Sequence, residues 1–244
     1  MQNISKKLNI ALPDGHLMHH VLLFIEAAGL HFEGYEKSDL NRRPLMRTET
    51  EGARELMKQP DLVVAKVIRP QDMPAHVANG NFDLAISGTD WLFEHKLHFP
   101  GSPVTNMAGL GFGKVNIVAA VHNSMGASLT DFMESFRAAC KDKPLIIASE
   151  YVYIADNYAQ INNLYPYRII MTYGATESLI PEDCDMIIEN TETGNTLRKN
   201  NLKIIDTLDV LGANESEGCL IASEKSMGES WKKHIIESFV KLLT

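Results

Sequence analysis

Asp185-Met-Ile-Ile-Glu-Asn-Thr-Glu-Thr-Gly-Asn-Thr-Leu-Arg198 is the stretch that decides how this chain folds. Met186 to Ile188 form a short apolar run of the kind that makes a buried strand, and acidic and hydroxyl residues follow with Gly194 at the tightest point. A helix start is predicted from Asn195. At such a strand-turn-helix junction backbone N–H groups and the helix dipole converge, which suits a phosphate. Gly194 lets the backbone approach an oxyanion closely, and Thr193 and Thr196 add hydroxyl donors. Glu189, where the strand ends, is placed to hold ribose hydroxyls or a phosphate-bound Mg²⁺. The same spacing is equally that of an ordinary N-capped helix after a strand.

Outward from this turn the chain alternates short apolar strands with helices. Strands are predicted over 7–12 (KLNIAL), 62–68 (LVVAKVI), 82–87 (FDLAIS), 144–148 (PLIIA), 168–172 and 185–188. Helices are predicted over 17–29, 71–79, 128–140, 151–163 and 231–243, the last with Ile235, Ile236, Phe239, Val240 and Leu243 on one face. The glycine-rich bend at 110–113 leads into a β-branched run to 121. This order indicates an α/β chain with largely parallel sheets. Without a disordered linker, two lobes would be joined by short crossings, the first at 110–113 and the return just after Leu197. The expected division is lobe I over 1–109 plus 198–244 and lobe II over 110–197.

The 244 residues, 45% hydrophobic and 22% charged, suffice for an ordinary globular core without metal or disulfide staples. Three cysteines without CxxC spacing fit a reducing cytoplasm. A net charge of −8 speaks against a nucleic-acid binder, and no apolar run is long enough to predict a membrane span. Pro13-Asp14-Gly15 interrupts the N-terminal apolar run, which makes it a poor signal peptide.

Taken whole, Glu189 to Leu197 resembles the phosphoribosyl-diphosphate signature of ATP phosphoribosyltransferases, an acidic strand end followed by T-G-x-T-L. Ile10 to Leu17, Arg69-Pro-Gln-Asp-Met-Pro74, Asn79 to Asp90, Leu110-Gly-Phe-Gly-Lys114, Ile147-Ala-Ser-Glu-Tyr151 and Gly174-Ala-Thr-Glu177 resemble further stretches of that family in order and spacing. The resemblance implies a two-lobed, periplasmic-binding-protein-like α/β fold with the active site in a cleft. It implies a Mg²⁺-requiring reaction in which N1 of the ATP adenine displaces pyrophosphate from C1 of phosphoribosyl diphosphate, the first step of histidine biosynthesis. It implies a cytoplasmic homo-oligomer of the short form, without a C-terminal regulatory domain and with a histidyl-tRNA-synthetase-like regulatory partner. Glu189, Glu192, Thr193, Gly194, Asn195 and Thr196 would bind the sugar phosphate, with Mg²⁺ carried by substrate phosphates rather than by a protein metal site.

The first loop departs from the family. Its Lys-Gly-Arg is here Asp14-Gly15-His16, which reverses a charge beside a polyanion. His16 can still donate hydrogen bonds and, protonated, stand in for the arginine; it also reads as a solvated turn histidine. Asn41-Arg42-Arg43-Pro44 resembles the family's arginine motif, and Arg69 is at a matched position. These arginines form either a bidentate pyrophosphate clamp or a solvated basic loop. The expected catalytic residues are His16, Arg42 and Arg43, with Asp14, Gly15, Arg69, Ser87 and Gly88 lining the substrate. Ser87-Gly88-Thr89-Asp90 reads both as a nucleotide contact and as an N-cap. His19-His20 does not have chelating spacing, and no G-x-S-x-G motif points to a covalent nucleophile. The departures at Asp14 and His16 motivate a second expectation, a non-catalytic paralogue that only binds or senses a nucleotide or phosphosugar.

Overall fold

The structure is a computed structural model and describes residues 6–58 and 60–244. The start of the N-terminal run read against a signal peptide lies outside the described residues. In chain order the elements are β1 (Leu8–Pro13), α1 (His16–Ala27), β2 (Leu30–Glu33), β3 (Leu45–Thr48), α2 (Glu51–Leu56), β4 (Val63–Ile68), α3 (Met73–Ala78), β5 (Leu84–Gly88), α4 (Thr89–His98) and β6 (Val104–Gly109). Then follow β7 (Asn116–His122), α5 (Leu129–Cys140), β8 (Leu145–Ser149), α6 (Val152–Ile161), β9 (Tyr167–Met171), β10 (Met186–Thr191), α7 (Asn195–Lys199) and β11 (Leu202–Leu208). The chain closes with β12 (Gly218–Ser223), α8 (Glu224–Met227) and α9 (Ser230–Leu243).

These elements form two compact units, the two lobes of an α/β fold. Unit 1 comprises the chain up to Leu92, Gly101–Gly113 and Glu217–Thr244; unit 2 comprises Phe93–Pro100 and Lys114–Ser216. Unit 1 is built on a five-stranded sheet of order β4-β1-β5-β12-β6. β1 is apolar on both faces because both are covered. Ile10, Leu12, Leu84 and Ile86 pack with Val21 and Ile25 of α1 and Ile236 and Phe239 of α9. On the opposite face Ala11, Ala85 and Ile221 meet Met73, Val77 and Phe82. Buried Asp83 ties three elements together, accepting from the Asn9 amide at 2.7 Å, Ser226 Oγ at 2.5 Å and Lys232 Nζ at 2.9 Å.

Unit 2 carries the second five-stranded sheet, order β11-β7-β10-β8-β9. Val118, Ala120, Ala148, Ile187 and Leu202 form the core of one face with Ile180, Cys184 and Leu197. Glu94, late in α4, accepts from the Tyr153 and Ile154 amides at 2.8 Å each and so caps α6.

Two expectations need correction. The sheets are mixed: β1–β4, β1–β5, β8–β9 and β8–β10 are parallel, whereas β12 runs antiparallel to β5 and β6, and β7 antiparallel to β10 and β11. The strands read from sequence are the parallel ones with continuous apolar runs; β2, β3, β6, β11 and β12 were not read as strands. The return to unit 1 falls after Ser216 rather than after Leu197, because β11 completes the second sheet by pairing with β7. Val115 and Ser216 exchange backbone hydrogen bonds of 2.9 and 2.7 Å, so the two strands of that crossing run side by side.

Candidate active site

Parallel strands present the start of every following loop at the same sheet edge, and that carboxyl edge is where α/β sheets bind ligands. In unit 2 the loops after β8, β9 and β10 begin at Ser149, Thr172 and Thr191. They therefore bring Glu150, Gly174–Glu177 and the turn after Glu189 to one edge. In unit 1 the same rule gathers Asp14 to His16 after β1, Arg69 after β4 and the end of β5 at Gly88.

The unit 2 turn is more self-contained than its sequence suggests. Gly194 is left-handed at φ 68°, as the tight point requires. Its amide donates to Thr191 Oγ1 at 2.8 Å, and the Asn195 amide donates to Thr193 Oγ1 at 3.4 Å. Two amides expected to be free for an anion are thus held by neighbouring hydroxyls, as backbone donors in a turn take the acceptors within reach. Arg198 braces the turn from α7: its Nη2 donates to the Thr193 carbonyl at 2.8 Å and to Asn195 Oδ1 at 2.5 Å. A Cβ on Gly194 would lie 3.1 Å from Arg198 Nη1, so the glycine also makes room for a cation. Glu192, Thr193, Asn195 and Thr196 are exposed around it, while Leu197 pins α7 to the core.

Glu189 lies in β10 two residues before its end, half-buried, with its pKa raised from the ordinary 4.5 to about 7. Burial is the largest cause; the Asn190 amide and the Thr176 hydroxyl pull the value down, and Glu150 and Glu177 push it up again. Thr176 is fully buried and also hydrogen-bonded to Thr172 Oγ1 at 2.8 Å. Next along the strand, Asn190 Nδ2 donates to the Tyr151 hydroxyl at 2.9 Å. Glu150, Tyr151 and Glu177 lie in stretches that resemble the family but carry no role that sequence alone assigns. Their signal is positional, since each follows a parallel strand on the edge that carries Glu189.

In unit 1 Asp14 is buried and paired. Its Oδ2 lies 2.6 Å from Arg42 Nη1 and its Oδ1 3.5 Å from Arg69 Nη1. The structure therefore brings Asp14, Arg42 and Arg69 together, and the reversed charge of the first loop is spent on two arginines. Gly15, at φ 69°, precedes α1; His16 is exposed on its first turn, its ring 5.4 Å from that of His20 one turn on. Arg43 is apart from this group: it lines a groove of about 200 Å³ with Lys7, Leu45, Arg47 and Asp61, beside the first residues of β4. Ser87 is fully buried and its hydroxyl donates to the Pro70 carbonyl at 3.0 Å, which joins the ends of β5 and β4. Gly88 is required by packing, because a Cβ there would stand 2.1 Å from Asp90 Oδ1.

Comparison with known proteins follows from this geometry. The family model for ATP phosphoribosyltransferase matches residues 69–244. An ATP phosphoribosyltransferase from Chlorobium phaeobacteroides is 31% identical over all of this chain, which spans 72% of that relative's length. The ATP phosphoribosyl transferase (HisG:HisZ) complex from Thermotoga maritima contains a similar chain, with TM-score 0.68, 22% identity and coverage of 97% and 96% of the two chains. A Candida albicans protein described as having the generic periplasmic binding protein fold is similar at TM-score 0.57 and 9% identity, over 97% of this chain and 69% of that one. Among the described residues no helix is long and apolar enough to cross a membrane.

Proposed function

The chain belongs to the ATP phosphoribosyltransferase family, which joins ATP to phosphoribosyl diphosphate in the first step of histidine biosynthesis, and on that premise we propose how its residues divide the work. The carrying observation is the turn of Thr191 to Thr196, with left-handed Gly194 at its centre and Arg198 braced against it. That turn takes the ribose 5-phosphate. The hydroxyls of Thr191 and Thr193 exchange their internal amide contacts for contacts with phosphate oxygens, and the freed amides of Gly194 and Asn195 add two donors. Arg198 supplies the compensating charge, and Glu192 and Thr196 flank the sugar.

Glu189 accepts from the ribose hydroxyls in its ionised form, oriented by the Asn190 amide and Thr176. In unit 1 Arg42 and Arg69 receive the pyrophosphate, with His16 as a hydrogen-bond donor at the start of α1. Gly15 supplies the left-handed backbone, φ 69°, that turns β1 into α1 beside Arg69. Gly88 and the end of β5 serve ATP. Arg43, facing a separate groove, contributes only long-range charge. Mg²⁺ enters with the diphosphate as part of the substrate and spreads its charge over phosphate oxygens and water.

The chemistry asked of these residues is positioning and neutralisation. N1 of adenine attacks C1 of the ribose as the bond from C1 to the pyrophosphate oxygen breaks, and the electron pair leaves with pyrophosphate. Guanidiniums fixed where that charge develops lower the barrier without any covalent intermediate. The burial of Asp14 against two arginines supports the catalytic reading over a non-catalytic paralogue, since its charge is compensated within the chain. We extend two further features to this chain: assembly into a homo-oligomer in the cytoplasm, and a histidyl-tRNA-synthetase-like regulatory subunit, in keeping with the two-component Thermotoga complex.

An absorbance assay with ATP, phosphoribosyl diphosphate, Mg²⁺ and pyrophosphatase tests the reading, run with and without the regulatory subunit. The expected result is phosphoribosyl-ATP from the wild type, and from Gly194→Val a rate at least tenfold lower at limiting phosphoribosyl diphosphate. Absence of product under both conditions would overturn it.

A further inference from the structure

Unit 1 carries a carboxylate among its cations, and the two arginines beside it are held unequally. Arg42 is anchored twice, at 2.6 Å from Asp14 Oδ2 and 3.4 Å from the Val67 carbonyl. Arg69 stands 3.5 Å from Asp14 Oδ1, a buried oxygen that accepts no hydrogen bond. A buried carboxylate oxygen without a donor is costly, so this atom depends on the charge of Arg69 alone. The carboxylate itself is fixed. Its amide donates to the Ile68 carbonyl at 3.1 Å, and the Tyr35 hydroxyl holds the Pro13 carbonyl just before it. The guanidiniums are the movable partners, with side chains 58% and 62% exposed against 7% for Asp14.

We propose that Asp14 is the resident counter-anion of the Arg42–Arg69 pair, yielding Arg69 to an incoming phosphate anion and so setting how tightly pyrophosphate is held. This role rests on the assignment of those arginines to pyrophosphate. Two bare guanidiniums at a sheet edge would bind a polyanionic product tightly and release it slowly. A carboxylate in contact with both cancels part of their field, holds them near the binding geometry while the site is empty, and repels the product once it has formed. Arg42 stays with Asp14 as the fixed point, and Arg69 exchanges one oxygen for another. Asp14 is thus a positioning and affinity-setting residue that touches substrate only through the arginines. Removing one negative charge this close to a multiply charged ligand changes its affinity on the order of tenfold at a partly solvated site.

The test measures binding of inorganic pyrophosphate with Mg²⁺ to the full chain by calorimetry, together with its inhibition against phosphoribosyl diphosphate and the melting temperature. Asp14→Asn keeps the shape and removes the charge, and is expected to tighten pyrophosphate about tenfold, roughly 1.4 kcal/mol, with a steeper salt dependence. Unchanged or weaker binding in a normally melting Asp14→Asn protein would show a mere buttress and overturn the proposal. Should that variant not fold, Arg69→Gln provides the second reading. That substitution is expected to cost about tenfold in pyrophosphate affinity and, by taking the cation from buried Asp14 Oδ1, to lower the melting temperature modestly; no loss of affinity would equally overturn the role. A wild type that binds no pyrophosphate overturns the arginine assignment itself, a result distinct from the turn's, which Gly194→Val reports through the sugar phosphate.

Discussion

Replacing Glu189 by Gln is expected to make unit 2 more stable above neutral pH while weakening phosphoribosyl diphosphate binding. The carboxyl titrates near 7 in the folded chain and near 4.5 when unfolded, chiefly because the end of β10 is desolvated. Below pH 4.5 both states are protonated and the group contributes nothing. Between 4.5 and 7 the unfolded chain ionises while the folded one keeps its proton, so stability falls as pH rises, and the penalty is complete above 7. At 1.36 kcal/mol per pH unit the difference corresponds to about 3 kcal/mol, and 2 kcal/mol is a safer figure for a half-buried group. Glutamine can still accept from the Asn190 amide and Thr176, so Glu189→Gln removes the penalty and keeps the contacts. Melting scanned from pH 4 to 8.5 should show the variant level with wild type at the acid end and roughly 4–8 °C higher at pH 8. Calorimetry should show phosphoribosyl diphosphate binding release a proton in the wild type at pH 6.5 and none in the variant, because ribose hydroxyls require the ionised form. Parallel melting curves for the two proteins, or proton release that survives the substitution, would refute the reasoning.

Other outcomes follow from single contacts. Gly194→Val forces a β-branched residue into φ 68° with its Cβ 3.1 Å from Arg198, and should cost about 1–3 kcal/mol of stability and at least tenfold in phosphoribosyl diphosphate KM, with ATP binding retained. Thr176→Val removes a hydroxyl that favours ionised Glu189, so the pH at which phosphoribosyl diphosphate binding reaches half its limit should rise above that of wild type, and Thr176→Ser should restore it. Glu94→Ala uncaps α6 and should destabilise unit 2 by about 1–2 kcal/mol in urea titration, without altering pyrophosphate affinity. Asp83→Ala takes the acceptor from the Asn9 amide and Ser226 Oγ and leaves Lys232 only Glu229 at 3.3 Å, and should cost about 3 kcal/mol.

Sequence periodicity located the parallel strands well, because their buried faces demand unbroken apolar runs such as those of β1 and β8. The antiparallel strands were harder to read. β6 reads VTNMAG with exposed Thr105 and Asn106, and β11 reads LKIIDTL with a register shift between Ile204 and Asp206. Neither alternation is clean, so pairing rather than pattern defines them. The phosphate turn was legible because its glycine and hydroxyls are contiguous. The ion cluster of unit 1 was only partly so: Arg42 and Arg69 were marked, yet the charge of Asp14 looked like an obstacle, since 28 residues separate it from Arg42. Arg43 belongs to the same motif by resemblance, but the chain bends at Arg42 and Arg43, and Arg43 lines another groove. Thr176 carries no motif of its own, and its bond to Glu189 exists only because the turn at Thr176–Leu179 packs against β10 and β8.

The account's central claim is that the Thr191–Thr196 turn holds the ribose 5-phosphate. A crystal structure of the chain with phosphoribosyl diphosphate and Mg²⁺ tests it most directly. The predicted result is the 5-phosphate within hydrogen-bond distance of the Gly194 and Asn195 amides and the Thr193 hydroxyl, with Glu189 on the ribose hydroxyls. A 5-phosphate bound on the Arg42–Arg69 pair, with the turn's internal hydrogen bonds intact, would contradict it.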